Sequence, residues 1–131
     1  MREPTIMLGI PLMDRDHAVL EDMLARTSAT DDAGLKALLI EIEQETRAHF
    51  ELEEALMRDQ SVPVLSCHMV QHAMLLGQFM QAHAAIASND NQALRTFLAD
   101  VLPALLDRHV NTADRVTAGL LGNVLTPALK Y

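Results

Sequence analysis

The sequence contains six histidines, and several recur at the spacing that places side chains on one face of a helix. His49 is followed four residues later by Glu53, and His68 is followed four residues later by His72. Residues four apart in an α-helix lie on the same face, one turn apart. Imidazole and carboxylate groups are both metal ligands, so these two pairs indicate a site that could coordinate metal.

Five of the histidines fall within apolar stripes that have a 3.6-residue period; they are His17, His49, His68, His72 and His109. A single histidine on an apolar face is usually a core residue that is hydrogen-bonded to a neighbour. A buried polar ring without a partner costs about 1–3 kcal/mol, and five such rings would rival the net stability of a small domain. A metal removes this cost because it accepts one nitrogen of every ring.

The number of candidate ligands indicates two metals. Five imidazoles and Glu53 exceed the ligand set of one tetrahedral zinc, and Asp114, five residues after His109, offers a second carboxylate. The set suits two metals that share carboxylate bridges. The His-Glu-x-x-His and Glu-x-x-His motifs of other metal sites are both absent from the sequence. The mixture of imidazole and carboxylate favours iron, and manganese or zinc could occupy the same ligands.

Four helices are required to bring these residues together, and the pattern predicts them at about 14–28, 33–59, 63–88 and 90–122. Asp14 is the expected N-cap of the first helix, and Asn89 opens a candidate capping box for the fourth. Because the connections are short, consecutive helices should run antiparallel. We therefore predict an all-α fold: one domain over residues 1–131, an up-down-up-down antiparallel four-helix bundle with the metal site in its core. Pro103 lacks an amide donor, so we expect a kink at residues 99–103.

Composition and charge exclude several classes of partner. The chain has 131 residues and a formal charge of −8, which argues against nucleic acid and anionic membranes. Residues 60–89 lack charged side chains, but His, Gln, Ser and Asn interrupt them too often for a membrane span. One cysteine excludes an intramolecular disulfide framework. The single cysteine and the absence of an apolar signal stretch in residues 1–14 together predict a cytoplasmic protein. Whether it is a monomer or a homo-oligomer stays open.

The order of these residues resembles the hemerythrin family, and in particular the single-domain bacterial hemerythrins. The resemblance extends over residues 9–114, nearly the whole chain. It rests on Gly9-Ile10, Asp14-Arg15-Asp16-His17, His49-Phe50-Glu51-Leu52-Glu53-Glu54 with Met57, His68-x-x-x-His72 and His109-Val110-x-x-x-Asp114.

The resemblance implies a non-haem protein with two iron ions (Fe2+/Fe3+) joined by an oxo or hydroxo bridge. It implies that an open position at one iron binds dioxygen reversibly, for storage, delivery or sensing. One iron would be held by His68, His72 and His109, the other by His17 and His49, with Glu53 and Asp114 bridging them.

The same resemblance assigns an oxygen pocket to Leu20, Phe50, Leu105, Leu106 and Val110. The sequence departs from the family pattern at three positions. Leu105 occupies a position where the family usually has tryptophan, and Val62 one where tyrosine is common. Asp16, just before the first histidine, replaces the usual glutamine. We expect the loss of tryptophan to leave a looser pocket that admits solvent and autoxidises faster than a tryptophan-containing relative.

The remaining candidate groups are expected to be structural. His83 is about 16 Å along the helix axis from His72, too far to share its metal, and should be partly buried or at the end of the bundle. Cys67 is expected to be a small packed residue, and Glu54 to face solvent. Two other functions stay open: a di-iron enzyme that acts on peroxide or nitric oxide or oxidises iron, and a zinc or purely structural bundle.

Overall fold

The computed structural model describes Pro4 and residues 8–121, which contain four helices and no strand. Three are regular: α1 (Pro11–Ala25), α2 (Leu35–Asp59) and α3 (Leu65–Ala87). The fourth, α4, extends from Asn91 to residue 121 as α-helical segments joined by two π turns.

Consecutive helices are neighbours in space. α1 packs against α2, α2 against α3, and α3 against α4, across connections of residues 26–34, 60–64 and 88–90. Connections this short turn the chain back on itself, which produces the antiparallel bundle. The predicted all-α four-helix bundle is confirmed. No helix in the described part of the chain, including the uncharged α3, is long and apolar enough to cross a membrane.

All four helices begin one to three residues from their predicted starts, and the N-terminal caps of two of them differ from those predicted. α1 begins at Pro11, whose restricted φ suits the first helical position, and not near Asp14. The Asp14 carboxylate instead accepts hydrogen bonds from the amides of Leu8 (2.8 Å) and Gly9 (3.0 Å), which hold the preceding segment against the helix. The cap of α4 is Asp90, not Asn89, because its carboxylate accepts from the amide of Ala93.

The predicted irregularity in α4 is a π turn at Phe97–Val101, just before Pro103. Proline has no N–H to donate and its ring crowds the carbonyl four residues earlier. The wider turn adds one residue to the helix at this point and accommodates both effects. Residue 122, the predicted end of this helix, lies outside the described residues.

The buried apolar residues form two clusters, with the polar site between them. One cluster includes Leu39, Phe79 and Leu98 towards one end of the bundle. The other includes Met13 and Met57 towards the opposite end. Along α2, α3 and α4 the buried histidines and carboxylates follow one cluster and precede the other. The bundle therefore encloses its polar groups between two apolar layers.

Arg95 of α4 ties down the connection between α1 and α2. Its guanidinium donates to the carbonyl oxygens of Thr27 (2.9 Å) and Thr30 (2.9 Å) and to the Asp32 carboxylate (2.8 Å). These bonds join the α1–α2 connection to α4. They hold together the end of the bundle at which α1 ends and α2 begins.

Candidate metal centre

All four helices contribute to one buried polar cluster. The seven residues predicted as ligands are each at most 5 % exposed: His17 from α1, His49 and Glu53 from α2, His68 and His72 from α3, and His109 and Asp114 from α4. The structure therefore brings together every residue of the predicted ligand set.

Ordinary helical geometry explains the pairs on α2 and α3 but not the pair on α4. Residues five apart in an α-helix diverge by about 140°, so His109 and Asp114 should point in different directions. A second π turn, Val110–Asp114, lies between them and widens the helix. As a result, His109 Nε2 and Asp114 Oδ1 are 3.0 Å apart. π turns are frequent at functional sites, and this one aligns two candidate ligands.

The ligand atoms form two overlapping groups, in each of which all atoms lie within 4.8 Å of one another. Their members are Glu53, His68, His72, His109 and Asp114 in the three-histidine group, and His17, His49, Glu53 and Asp114 in the two-histidine group. The two carboxylates belong to both groups. Asp114 Oδ1 is 3.0 Å from His68 Nε2, while its Oδ2 is 3.2 Å from His17 Nε2.

Several of these inward-facing atoms lack a hydrogen bond within the described residues. They include Glu53 Oε2, both carboxylate oxygens of Asp114, and His17 Nε2, all of them buried. In addition, His72 Nε2 and His109 Nε2 face each other at 3.1 Å, where at most one can donate. Unpartnered buried polar groups are costly, and two lone pairs directed at one point are suited to a cation. The donor set therefore fits a pair of metal ions.

The surroundings of the imidazoles favour positive charge. Burial alone lowers the pKa of His49, but the nearby carboxylates of Asp16 and Glu53 outweigh it and raise this pKa to about 10. Burial likewise lowers the pKa of His68, whereas the nearby carboxylates of Asp114 and Glu53 raise it to about 9. Without metal, protons take the positions in which cations would be bound.

The carboxylates show the complementary effect. Burial raises the pKa of Glu53, but the neighbouring imidazoles of His49, His68 and His72 outweigh it and lower this pKa to about 2. Burial also raises the pKa of Asp114, and its histidine neighbours, His109 first, hold it well below its usual range. Both carboxylates are therefore ionised at neutral pH, as bridging ligands must be.

Three further residues bind the outer nitrogens of the histidines. His49 Nδ1 is 3.1 Å from the Asp16 carboxylate, and His72 Nδ1 is 2.7 Å from the Glu54 carboxylate. His68 Nδ1 is 2.8 Å from the hydroxyl of Thr117. The expectation that Glu54 faces solvent is wrong, because its side chain is only 19 % exposed.

Sequence reasoning missed these outer residues. Thr117 lies three residues after Asp114, on the same face of α4, and that spacing is a signal that could have identified it. Asp16 and Glu54 are each adjacent to a candidate ligand and therefore point elsewhere on their own helix. They reach a histidine on another helix, which no spacing along one helix reveals.

The rings are also held by aromatic packing. Phe50 stacks on His72, with ring centroids 3.8 Å apart and planes inclined by 2°. His72 is thus bounded by Phe50 on one ring face and by Glu54 at its outer nitrogen. Both contacts restrict the rotation that would turn its Nε2 away from the centre.

A cavity of about 290 Å³ opens beside the two-histidine group, between α1 and α4. Four of the five residues predicted for the oxygen pocket line it: Leu20, Phe50, Leu106 and Val110. His17, His49 and Asp114 form its inner wall, and Glu21 and Asp107 add carboxylates to its lining.

Leu105 is not part of that lining. It borders a different cavity, of about 210 Å³, together with Met74, Leu75 and Gln78 on α3. Both cavities touch His109. The space left by the missing tryptophan therefore lies between α3 and α4, because Leu105 is rotated by 100° from Leu106 on the helix.

One other expectation about a single residue, that Cys67 is packed, differs from the structure, whereas His83 lies outside both ligand groups as expected. Cys67 is exposed on α3 and not packed in the core. The His83 side chain is 45 % exposed and lies 2.7 Å from the Glu43 carboxylate, in neither ligand group. Both residues lie on the outer surface of α3, whose buried positions are taken by His68, His72, Leu75, Phe79, Ala82 and Ala85.

Fold and site together define a helical-bundle protein with a metal-binding core rich in histidine and carboxylate. The chain belongs to the Hemerythrin HHE cation binding domain family, which matches it over residues 8–121. It is 28% identical over 109 residues to the bacteriohemerythrin of Ralstonia nicotianae (strain ATCC BAA-1114 / GMI1000); the alignment covers 83% of this chain and 79% of that protein. No solved structure matches the chain significantly. The resemblance identified from the ligand motifs is confirmed.

Proposed function

We propose that the protein holds two iron ions and binds dioxygen reversibly, for storage, delivery or sensing. His68, His72 and His109 would hold one iron, His17 and His49 the other, with Glu53 and Asp114 as shared ligands beside an oxo or hydroxo bridge. The two overlapping ligand groups and their unpartnered inward-facing atoms support this assignment. When bound, the iron pair would supply the electrons and the open coordination position that dioxygen binding requires.

The observation that carries the oxygen-binding proposal is the position of the cavity of about 290 Å³. It reaches the centre at the two-histidine group, which has one imidazole fewer and so would leave a coordination position free if metal were bound. Leu20, Phe50, Leu106 and Val110 form apolar walls there. Apolar walls accept a neutral diatomic molecule and disfavour water and ions, which is what reversible binding demands.

The proposal is tested by cycling the iron-loaded protein between oxygenated and deoxygenated states. The protein is reduced anaerobically, exposed to air and then deoxygenated, and the visible absorption spectrum is recorded at each step. We expect two irons per chain and a spectrum that returns to its starting form over repeated cycles. Irreversible conversion to the ferric form would contradict carriage, and fewer than two irons per chain would contradict the site.

A second candidate is a di-iron enzyme that reduces peroxide or nitric oxide or oxidises iron. The carboxylates of Glu21 and Asp107 in the cavity lining favour it, because a carboxyl group near an iron could deliver protons to a substrate. The cavity volume of about 290 Å³ also leaves room for water beside a diatomic ligand. Catalytic consumption of peroxide in the same cycling experiment would support the enzyme.

A further inference from the structure

Each candidate metal group contains one histidine whose outer nitrogen contacts a carboxylate outside the ligand set. In the two-histidine group, Asp16 of α1 lies 3.1 Å from His49 Nδ1 on α2. In the three-histidine group, Glu54 of α2 lies 2.7 Å from His72 Nδ1 on α3. Both contacts join neighbouring helices, and both leave the Nε2 atom of the histidine directed at the centre.

These carboxylates are positioned to act electrostatically. The side chains of Asp16 and Glu54 are only 16% and 19% exposed, so solvent screens them less than surface charges. The inner nitrogens of His49 and His72 lie on the opposite side of rings that are themselves almost completely buried. At Asp16 this chain carries a negative charge where the pattern that it resembles usually has a neutral glutamine.

We propose that Asp16 and Glu54 are positioning residues that lower the reduction potential of the iron pair, one carboxylate for each iron. This inference rests on the proposed function, because it requires that the two ligand groups bind iron. It assigns to the two carboxylates a role in setting how readily each iron loses an electron.

The physical reason has two parts. A carboxylate that accepts the Nδ1–H of a histidine holds the tautomer in which Nε2 carries the lone pair, and it makes that nitrogen a stronger donor to the metal. Oxidation removes one electron from each iron and adds one positive charge, which a nearby negative charge stabilises more than it stabilises Fe2+. Both effects favour the ferric state.

Two other histidines provide an internal comparison. His68 Nδ1 contacts a neutral hydroxyl, that of Thr117, which orients the ring without adding charge. His17 Nδ1 is buried and has no hydrogen-bond partner within the described residues. The carboxylate contact is therefore not shared by all of the histidines. Because the Thr117 hydroxyl orients His68 without charge, a substitution there measures the effect of orientation alone on the reduction potential.

The test is a redox titration of the full-length, iron-loaded chain with mediators, followed by absorption spectroscopy, alongside a measurement of iron affinity. Asp16→Asn and Glu54→Gln keep the size of each side chain and remove its charge. Asp16→Gln, which installs the residue usual in the family pattern, is a second variant at that position. Glu51→Gln, at an exposed position on α2, is the control with the same change in charge. Thr117→Val removes the neutral hydrogen bond, and circular dichroism verifies the fold of every variant.

We expect both charge-removing substitutions to shift the midpoint potential to more positive values and to weaken iron binding about tenfold or more. Glu51→Gln should leave both quantities unchanged, and Thr117→Val should weaken binding with a smaller shift in potential. If the iron pair binds but its potential is the same in Asp16→Asn, Glu54→Gln and Glu51→Gln, this inference alone is overturned. An equal shift in Thr117→Val also overturns it, because orientation would then suffice. A wild-type chain that binds no iron pair overturns the proposed function as well.

Discussion

Glu53 and Asp114 are the residues on which both candidate metal groups depend. Each offers two carboxylate oxygens to opposite sides of the centre, and three of these four oxygens have no hydrogen bond within the described chain. The histidines each face one group, so a histidine substitution removes one ligand from one metal. A substitution of either carboxylate removes a ligand from both.

Removing a single ligand should therefore abolish stable binding of the iron pair. We expect Glu53→Ala and His72→Ala to leave fewer than two irons per chain, because the remaining ligands cannot complete the coordination of both metals. The measurement is metal analysis of the purified, iron-reconstituted protein. His83→Ala is the matched control, since His83 is exposed and contacts only Glu43 among the pairs described. Two irons retained in either ligand variant would refute the assignment.

The cavities separate two residues of α4 that the family pattern assigned to one oxygen pocket. Leu105 borders the cavity between α3 and α4, whereas Val110 borders the one beside the two-histidine group. Enlarging either side chain fills space, but of the two only Val110 lines the cavity beside the proposed oxygen position. The expectation that the missing tryptophan speeds autoxidation is therefore not supported by the position of Leu105.

A matched pair of substitutions tests this distinction. We expect Val110→Phe to slow autoxidation severalfold, because it narrows the cavity through which water reaches the centre. Leu105→Phe should leave the rate close to that of the wild-type protein. The rate is followed as loss of the oxygenated spectrum at neutral pH. Equal rates in the two variants would show that the two cavities do not differ in their access to the centre.

At the scale of elements, the two π turns of α4 have different causes. The turn at Phe97–Val101 accommodates Pro103, and its cause is visible in the sequence. The turn at Val110–Asp114 has no proline near it, and its local sequence gives no reason for a wider helix. The contacts that Asp114 makes with histidines on α1 and α3 stabilise this turn, because they form only when the helix is wider here.

The connection between α1 and α2 depends on one side chain from α4. We expect Arg95→Ala to lower the free energy of unfolding by about 1–3 kcal/mol, less than the sum of three hydrogen bonds of about 0.5–1.5 kcal/mol each because water reaches this partly exposed side chain. The measurement is urea unfolding of the metal-free protein. Arg58→Ala is the control, since the Arg58 guanidinium contacts the sulfur of Met69 at 4.0 Å on an exposed surface. Equal unfolding midpoints for the two variants would contradict this role for Arg95.

At the scale of the whole molecule, the bundle encloses a layer of ionised groups between two apolar clusters. The clusters contribute burial of apolar surface, whereas the polar layer is favourable only when its charges are balanced. In the metal-free protein, the raised pKa values of His49 and His68 favour protons on these two rings, which balance part of the negative charge. Metal ions would replace those protons, so stability and metal content should both depend on pH.

The direction of this dependence follows from the shifted pKa values. The pKa of His49 is raised from 6.5 to about 10, so its contribution to stability is complete below pH 6.5 and is lost as pH rises towards 10. The pKa of His68, raised to about 9, acts in the same direction. The pKa of Glu53 is lowered from 4.5 to about 2, so its contribution is complete above pH 4.5 and is lost as pH falls towards 2.

We therefore expect the metal-free protein to lose stability between about pH 6.5 and 9, in the range set by these histidines. The iron-loaded protein should lose less, because bound iron does not depend on those protons. The difference in melting temperature between the two forms should accordingly be larger at pH 9 than at pH 6. Thermal unfolding by circular dichroism at both pH values measures it, and a constant difference would contradict the prediction.

The sequence by itself determined the four helices, the seven candidate ligands and the family. This was possible because the signals are local: His49 with Glu53 and His68 with His72 need only the geometry of one helix, and apolar stripes reveal which faces are buried. The position of Asp114 beside His109 could not be derived from helical spacing, since five residues of α-helix would direct it away from His109.

Only the tertiary structure decided which groups meet across helices. It placed Leu105 on a second cavity and Cys67 on the surface. It also placed Glu54 and Asp16 against histidines of neighbouring helices. A helical period states which residues share a face but not how one helix is rotated against the next. That rotation is set by the packing of all four helices at once, and the residues that surround the metal ligands depend on it.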